Sequence, residues 1–170
     1  RVRDRFSSLH DIRYFVTKSV FDSILSANPS LNGITKKLDT ISFLEEVYTL
    51  INERDSNEIT YDEMSEEIGQ IMDANMDLSI IRKLNGLHLS EQEMFLLLYV
   101  CHETISGDES VDLASAMGSI FENASLKFRL KRELVKGISS LIKQNLVKLE
   151  DGIFRQDRDI LLTENGLHKL

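Results

Sequence analysis

Few residues in this chain have the type and spacing that chemistry needs. Stretch 52–63 lies between two helical patterns and puts Ile59 four residues before Glu63. The inner Ile and the final Glu of an EF-hand calcium loop have the same spacing. In that register Asn52, Arg54 and Ser56 fall at the first ligand positions, and Asn57 stands where Gly should make the sharp turn. A guanidinium at a ligand position repels a dication, so the stretch reads as an interhelical turn before a capped helix. The histidines are His10, His88, His102 and His168, and no pair has metal-ligand spacing. Only Cys101 and His102 are neighbours, and adjacent helical residues point about 100° apart, which seldom suits one metal. Cys101 sits in an apolar run, where its thiol should stay protonated and inert. The glycines build neither GxxxxGK[ST] nor GxGxxG, so no phosphate cradle is expected. Asn123-Ala124-Ser125 fits a glycosylation sequon, which reads as a chance match without a secretion leader. The expectation is a chain with no catalytic, cofactor-binding or metal-binding residue of its own.

What remains is charge. Lys127, Arg129, Lys131, Arg132 and Lys136 crowd the front of one helical stretch. Residues 122–143 hold six bases against Glu122 and Glu133. Residues 45–81 are the opposite, with eleven acids and the single base Arg54. The net charge of −8 therefore hides an acidic half and a basic helix, each a candidate docking surface.

The elements that must carry these charges follow from apolar spacing. Phe6, Leu9, Ile12, Val16, Val20 and Ile24 recur every three or four residues and predict a helix that stops before Pro29. Residues 41–53 predict a second helix, with Phe43, Leu44, Val47, Leu50 and Ile51 inside. Thr60 and Glu63 form a capping box that opens a third helix, running to about Ala74. A short fourth helix is expected near residues 78–84. A second capping box, Ser90 with Glu93, opens a helix that is apolar nearly all round and so should be central. Ser110-Val111-Asp112 reads as a short strand and residues 113–117 as a short helix. Ser125 is expected to cap one long helix to about Asn145, with Leu126, Leu130, Leu134, Ile138, Leu141 and Ile142 inside. Val147-Lys148-Leu149, the Asp151-Gly152 turn, Phe154 and Ile160-Leu161-Leu162 predict a hairpin, and Thr163 starts a last helix.

This order predicts a mainly α chain: a helical N-terminal region over residues 1–87, then an α+β winged-helix domain over residues 88–170 with a small β-hairpin wing. A single cysteine leaves no internal disulfide and fits a reducing compartment. No apolar run approaches the ~18–20 residues of a membrane span. Arg1 opens a charged segment, not a basic-then-apolar leader, so a cytoplasmic chain is expected. The missing initiator Met suggests a piece of a longer protein.

Three blocks carry a family resemblance. They are the run 91–102 (Glu-Gln-Glu-Met-Phe-Leu-Leu-Leu-Tyr-Val-Cys-His), the run Phe128-Arg129-Leu130-Lys131-Arg132-Glu133-Leu134 with Gly137, and Leu146-Val147 with Leu162-Thr163-Glu164. Together they resemble the winged-helix region that precedes the ATPase module of some bacterial AAA+ ATPases, and residues 43–87 resemble the segment before it. The resemblance implies that ATP and magnesium are bound by a module after Leu170, and that this region recruits partners or substrates or restrains the motor. It assigns no catalytic residue here. The expected function is therefore docking on a protein partner or the adjoining ATPase module, through Lys127, Arg129, Lys131, Arg132 and Lys136. The alternative is a DNA-binding transcriptional regulator reading the major groove with the same helix. Asp151, Asp157 and Asp159 in the expected wing, against Arg155 and Arg158, and the acidic helices count against phosphate binding. Membrane contact is not expected, and the sequence leaves the oligomeric state open.

Overall fold

The computed structural model describes residues 37–151 and 158–170. The helix expected around Phe6 to Ile24, with His10, and the hairpin tip with Gly152 and Phe154 lie outside them.

Asp39 accepts a hydrogen bond from the Ser42 N–H (2.8 Å) and opens helix α1, Thr40–Asp55. One face of α1 buries Phe43, Leu44, Val47, Leu50 and Ile51. The turn after it is closed by Asn57, whose φ of 59° is left-handed, a conformation Asn tolerates better than most residues. Helix α2, Tyr61–Ala74, starts from the expected capping box: the Glu63 carboxylate accepts from the Thr60 N–H (2.8 Å), and Thr60 accepts in return. Helix α3, Ser79–Gly86, buries Ile80, Ile81 and Leu84.

Helix α4, Glu91–Ser106, has the second capping box, Ser90 with Glu93. It buries Phe95, Leu96, Leu97, Leu98, Val100 and Cys101, and ends at Gly107 in the left-handed region. As its apolar girth implies, it is the central post. Helix α1, helix α5 (Leu113–Ile120), helix α7 (Ser140–Lys143) and strand β3 (Arg158–Leu162) all pack on it. Strand β1 is Val111–Asp112 and β2 is Val147–Asp151. The sheet is antiparallel in the order β1-β3-β2, with Val111 opposite Ile160 and Leu149 also opposite Ile160 from the other side. That makes β3 the middle strand and Ile160 its fully buried centre. The described residues are thus mainly helical with one small antiparallel sheet, in the arrangement of a winged helix. Helices α1–α3 and the elements after Leu87 share one continuous core.

The expected long helix is in fact two. Helix α6 spans Ala124–Val135, and α7 follows after a break at Lys136 and Gly137. Gly137 takes a φ of 68°, and the N–H groups of Ile138 and Ser139 turn back to the Glu133 carbonyl. This left-handed exit is where glycine ends helices. A second cause is tertiary. Ser139 caps α7 and donates from Oγ to Glu93 Oε1 (2.8 Å), and the Ser140 N–H donates to the same oxygen (2.6 Å). The start of α6 is also corrected: Asn123, not Ser125, is the cap, with Oδ1 accepting from the Ser125 N–H (2.8 Å). Ile138, expected inside, is 50% exposed because the break turns it outward.

The last helix, α8 (Glu164–Lys169), is fastened to the end of α7. Thr163 Oγ1 donates to the Asn145 carbonyl (2.6 Å), and Asn165 Nδ2 donates to the Gln144 carbonyl (2.9 Å).

A candidate docking face on helix α6

Leu130 and Leu134 are the buried residues of α6 and fix which way the helix faces. At 100° per residue, the side opposite them holds Phe128, Arg129, Arg132 and Val135, with Lys136 at the C-cap. The burial pattern agrees. Arg129, Arg132 and Lys136 are exposed, and Lys127 and Lys131, on the flanks, are half-buried. The structure therefore puts all five expected residues on one helix and divides them, three outward and two at the edges. Arg129, Arg132 and Lys136 make no ion pair among the described residues. Lys131 lies close enough to Asp112 to help hold that carboxyl below its ordinary value. The larger cause there is the hydrogen bond from the Ser115 side chain.

Apolar spacing did not reveal what else lies on this face. Phe128 is 69% exposed, Val135 48% and Ile138 50%. By helix geometry Phe128 and Val135 form an apolar strip beside Arg132, and Ile138 is exposed just past the break. The sequence did hold a signal: Phe128 is two residues from Leu130, hence about 200° from the buried side. Beside the strip, Arg129 and Glu133 border a cleft of about 130 Å³ whose other wall is Ser90 and Gln92 at the start of α4.

The hairpin that would flank this face in a DNA reader has no net positive charge in its described part, with Lys148 and Arg158 against Glu150, Asp151 and Asp159. Asp151 pairs with Arg158 (3.4 Å), and Lys148 is paired with Glu150.

The remaining sequence candidates are structural or isolated. Arg54 is buried at the C-terminal end of α5, donating from Nε to the Ser119 carbonyl (2.7 Å) and from Nη2 to the Gly118 and Ser119 carbonyls. It ties α1 to the negative end of the α5 dipole, a role its place in the EF-hand-like spacing of residues 52–63 hid. The Glu63 carboxylate is engaged in its capping box. Burial pushes the Cys101 thiol up to about 12. His102 stacks on Tyr48 at 3.8 Å, and its buried Nδ1 has no hydrogen-bond partner. His88 sits at a positive-φ turn and His168 on α8. No group of three or more His, Cys, Asp or Glu that could hold a metal occurs among the described residues. No helix among them is long and apolar enough to cross a membrane.

Compared with known proteins, this chain matches no family model, no curated protein and no solved structure.

Proposed function

We propose that this chain is a non-catalytic docking and regulatory region, serving a cytoplasmic bacterial AAA+ ATPase, and that it binds protein through the exposed face of α6. One observation carries the docking part. The basic side chains Arg129, Arg132 and Lys136 share the outward side of α6 and its C-cap with two large exposed apolar residues, Phe128 and Val135, and Ile138 is exposed just past the break. Phosphate contacts call for cations and polar donors, and a strip of bare apolar surface adds little to them. A protein surface that offers carboxylates around an apolar patch would use both kinds of residue: the apolar ones for affinity, the charges for encounter rate and register. The paired charges of β2 and β3 favour the same choice. The ATPase setting rests on the resemblance of residues 91–102, 128–134 and 146–147 to the winged helix before such a module.

The test is a pair of titrations at low salt. One uses mixed-sequence duplex DNA, the other an amphipathic peptide of Glu and Leu. The reading expects no duplex binding at micromolar protein, and peptide binding that is lost in Phe128→Asp/Arg132→Glu. Duplex binding that weakens steeply with salt and disappears in Lys127→Glu/Arg129→Glu/Lys131→Glu would overturn it in favour of a DNA-binding regulator.

A further inference from the structure

Helix α2 presents a face that mirrors α6. Met64, Ile68 and Met72 point it inward. The opposite side holds Asp62, Glu66, Gly69, Gln70 and Asp73, all exposed. None of Asp62, Glu66 and Asp73 is ion-paired among the described residues. Asp62 and Glu66 are one turn apart, a spacing at which like charges repel. Among the described residues Glu66 accepts only from the Gln70 amide (3.2 Å).

Gly69 is the informative residue. It lies in mid-helix, where glycine is a poor choice. Nothing in the fold asks for it: its φ is not left-handed, and a methyl group added there would meet nothing within 4 Å. What it supplies is a flat, side-chain-free place in the middle of an acidic stripe. On α6, Phe128 is the bulkiest exposed apolar side chain, with Arg129, Arg132 and Lys136 around it. The spacings fit an antiparallel crossing. At 1.5 Å per residue Glu66 and Asp62 lie roughly 5 and 10 Å before Gly69, and Arg132 and Lys136 lie roughly 6 and 12 Å after Phe128. Within one molecule the two faces do not cover each other, since both are exposed.

We propose that the basic, apolar face of α6 docks on the acidic stripe of α2 in a second copy of this chain, with Phe128 seated over Gly69. This rests on the protein-docking reading of α6 and names its partner. The contact is head-to-tail, so a pair of copies still has one free α2 face and one free α6 face and can grow further. Net charge works against it, but charges more than about 8 Å apart are screened at physiological salt, so the local pairing governs.

The experiment is sedimentation velocity on the 170-residue chain, with circular dichroism to confirm that each variant is folded. The wild type should associate with rising concentration at about 50 mM NaCl, and roughly tenfold or more weakly at about 500 mM. Arg129→Gln/Arg132→Gln and Glu66→Gln/Asp73→Asn should each be monomeric alone. Mixed, they should form a one-to-one complex that grows no further, because each keeps the face the other lacks. Gly69→Gln should keep the helix and weaken wild-type association by about tenfold or more. A wild type that stays monomeric at every salt and concentration would overturn the proposal, as would variants that fail to combine or association insensitive to salt. If the wild type is monomeric while the Glu/Leu peptide still needs Phe128 and Arg132, docking stands and only the partner is wrong.

Discussion

At Glu93 one buried carboxylate serves the starts of two helices. Oε2 accepts from the Ser90 N–H (3.0 Å), and Oε1 accepts from Ser139 Oγ and the Ser140 N–H. Burial works to raise its pKa, but these hydrogen bonds outweigh it and hold the carboxyl below its ordinary 4.5. A carboxylate depressed in this way stabilises the fold fully above the unfolded-state value, and the contribution is lost as pH falls through the lower folded one. Glu93→Gln should therefore cost about 1–3 kcal/mol at neutral pH. It should also flatten the loss of stability below pH 4.5, read by urea melts across that range. At Gly166 the constraint is space. A methyl group there would run into the Leu146 carbonyl oxygen and lie 2.9 Å from Leu162 Cδ1. Gly166→Ala should cost about 1–3 kcal/mol by overpacking, seen as a lower Tm. Gly69→Ala should do the reverse, adding up to about 1 kcal/mol, since only helix propensity changes. The Glu93–Ser90 box was legible because its partners are three residues apart. The bond to Ser139 was not, because it joins residues 46 apart in sequence.

At the scale of elements, the break between α6 and α7 matters most. It sets the length of α6 and leaves Ile138 exposed. Apolar spacing runs smoothly from Leu126 to Ile142, so periodicity alone predicts one helix. Gly137 and Ser139 carry the contrary local signal, and the fixed Glu93 carboxylate decides in its favour. Gly137→Ala should cost about 1–2 kcal/mol, the strain of a left-handed φ with a Cβ, in a thermal melt. Arg54 is the other cross-element tie. It lies 4% exposed, and its removal strands the Gly118 and Ser119 carbonyls. Arg54→Met should cost about 1–3 kcal/mol and loosen α1 from α5, which hydrogen exchange at the end of α5 would register.

In the molecule as a whole, α4 holds the helices before Leu87 and the sheet after it in one core. Residues 37–170 form one compact unit and should unfold alone in a single cooperative transition. Residues 88–170 without α1–α3 should expose the α1-facing side of α4 and lose that cooperativity in a calorimetric scan. Charge is organised at the same scale. Acids populate α1 and α2 and bases populate α6, so the chain carries two faces of opposite sign on one rigid core.

The sequence by itself determined the elements. Capping boxes, left-handed turn residues and apolar periodicity are local physics, and they placed α1–α5, the strands and both charged regions within a few residues. Only the tertiary structure decided where a helix stops despite its periodicity, which of the five basic residues face outward, and that Phe128, Val135 and Ile138 are left exposed. Each depends on what lies opposite in space: a carboxylate from another helix, a core that takes Leu130 and Leu134, and solvent left on the far side.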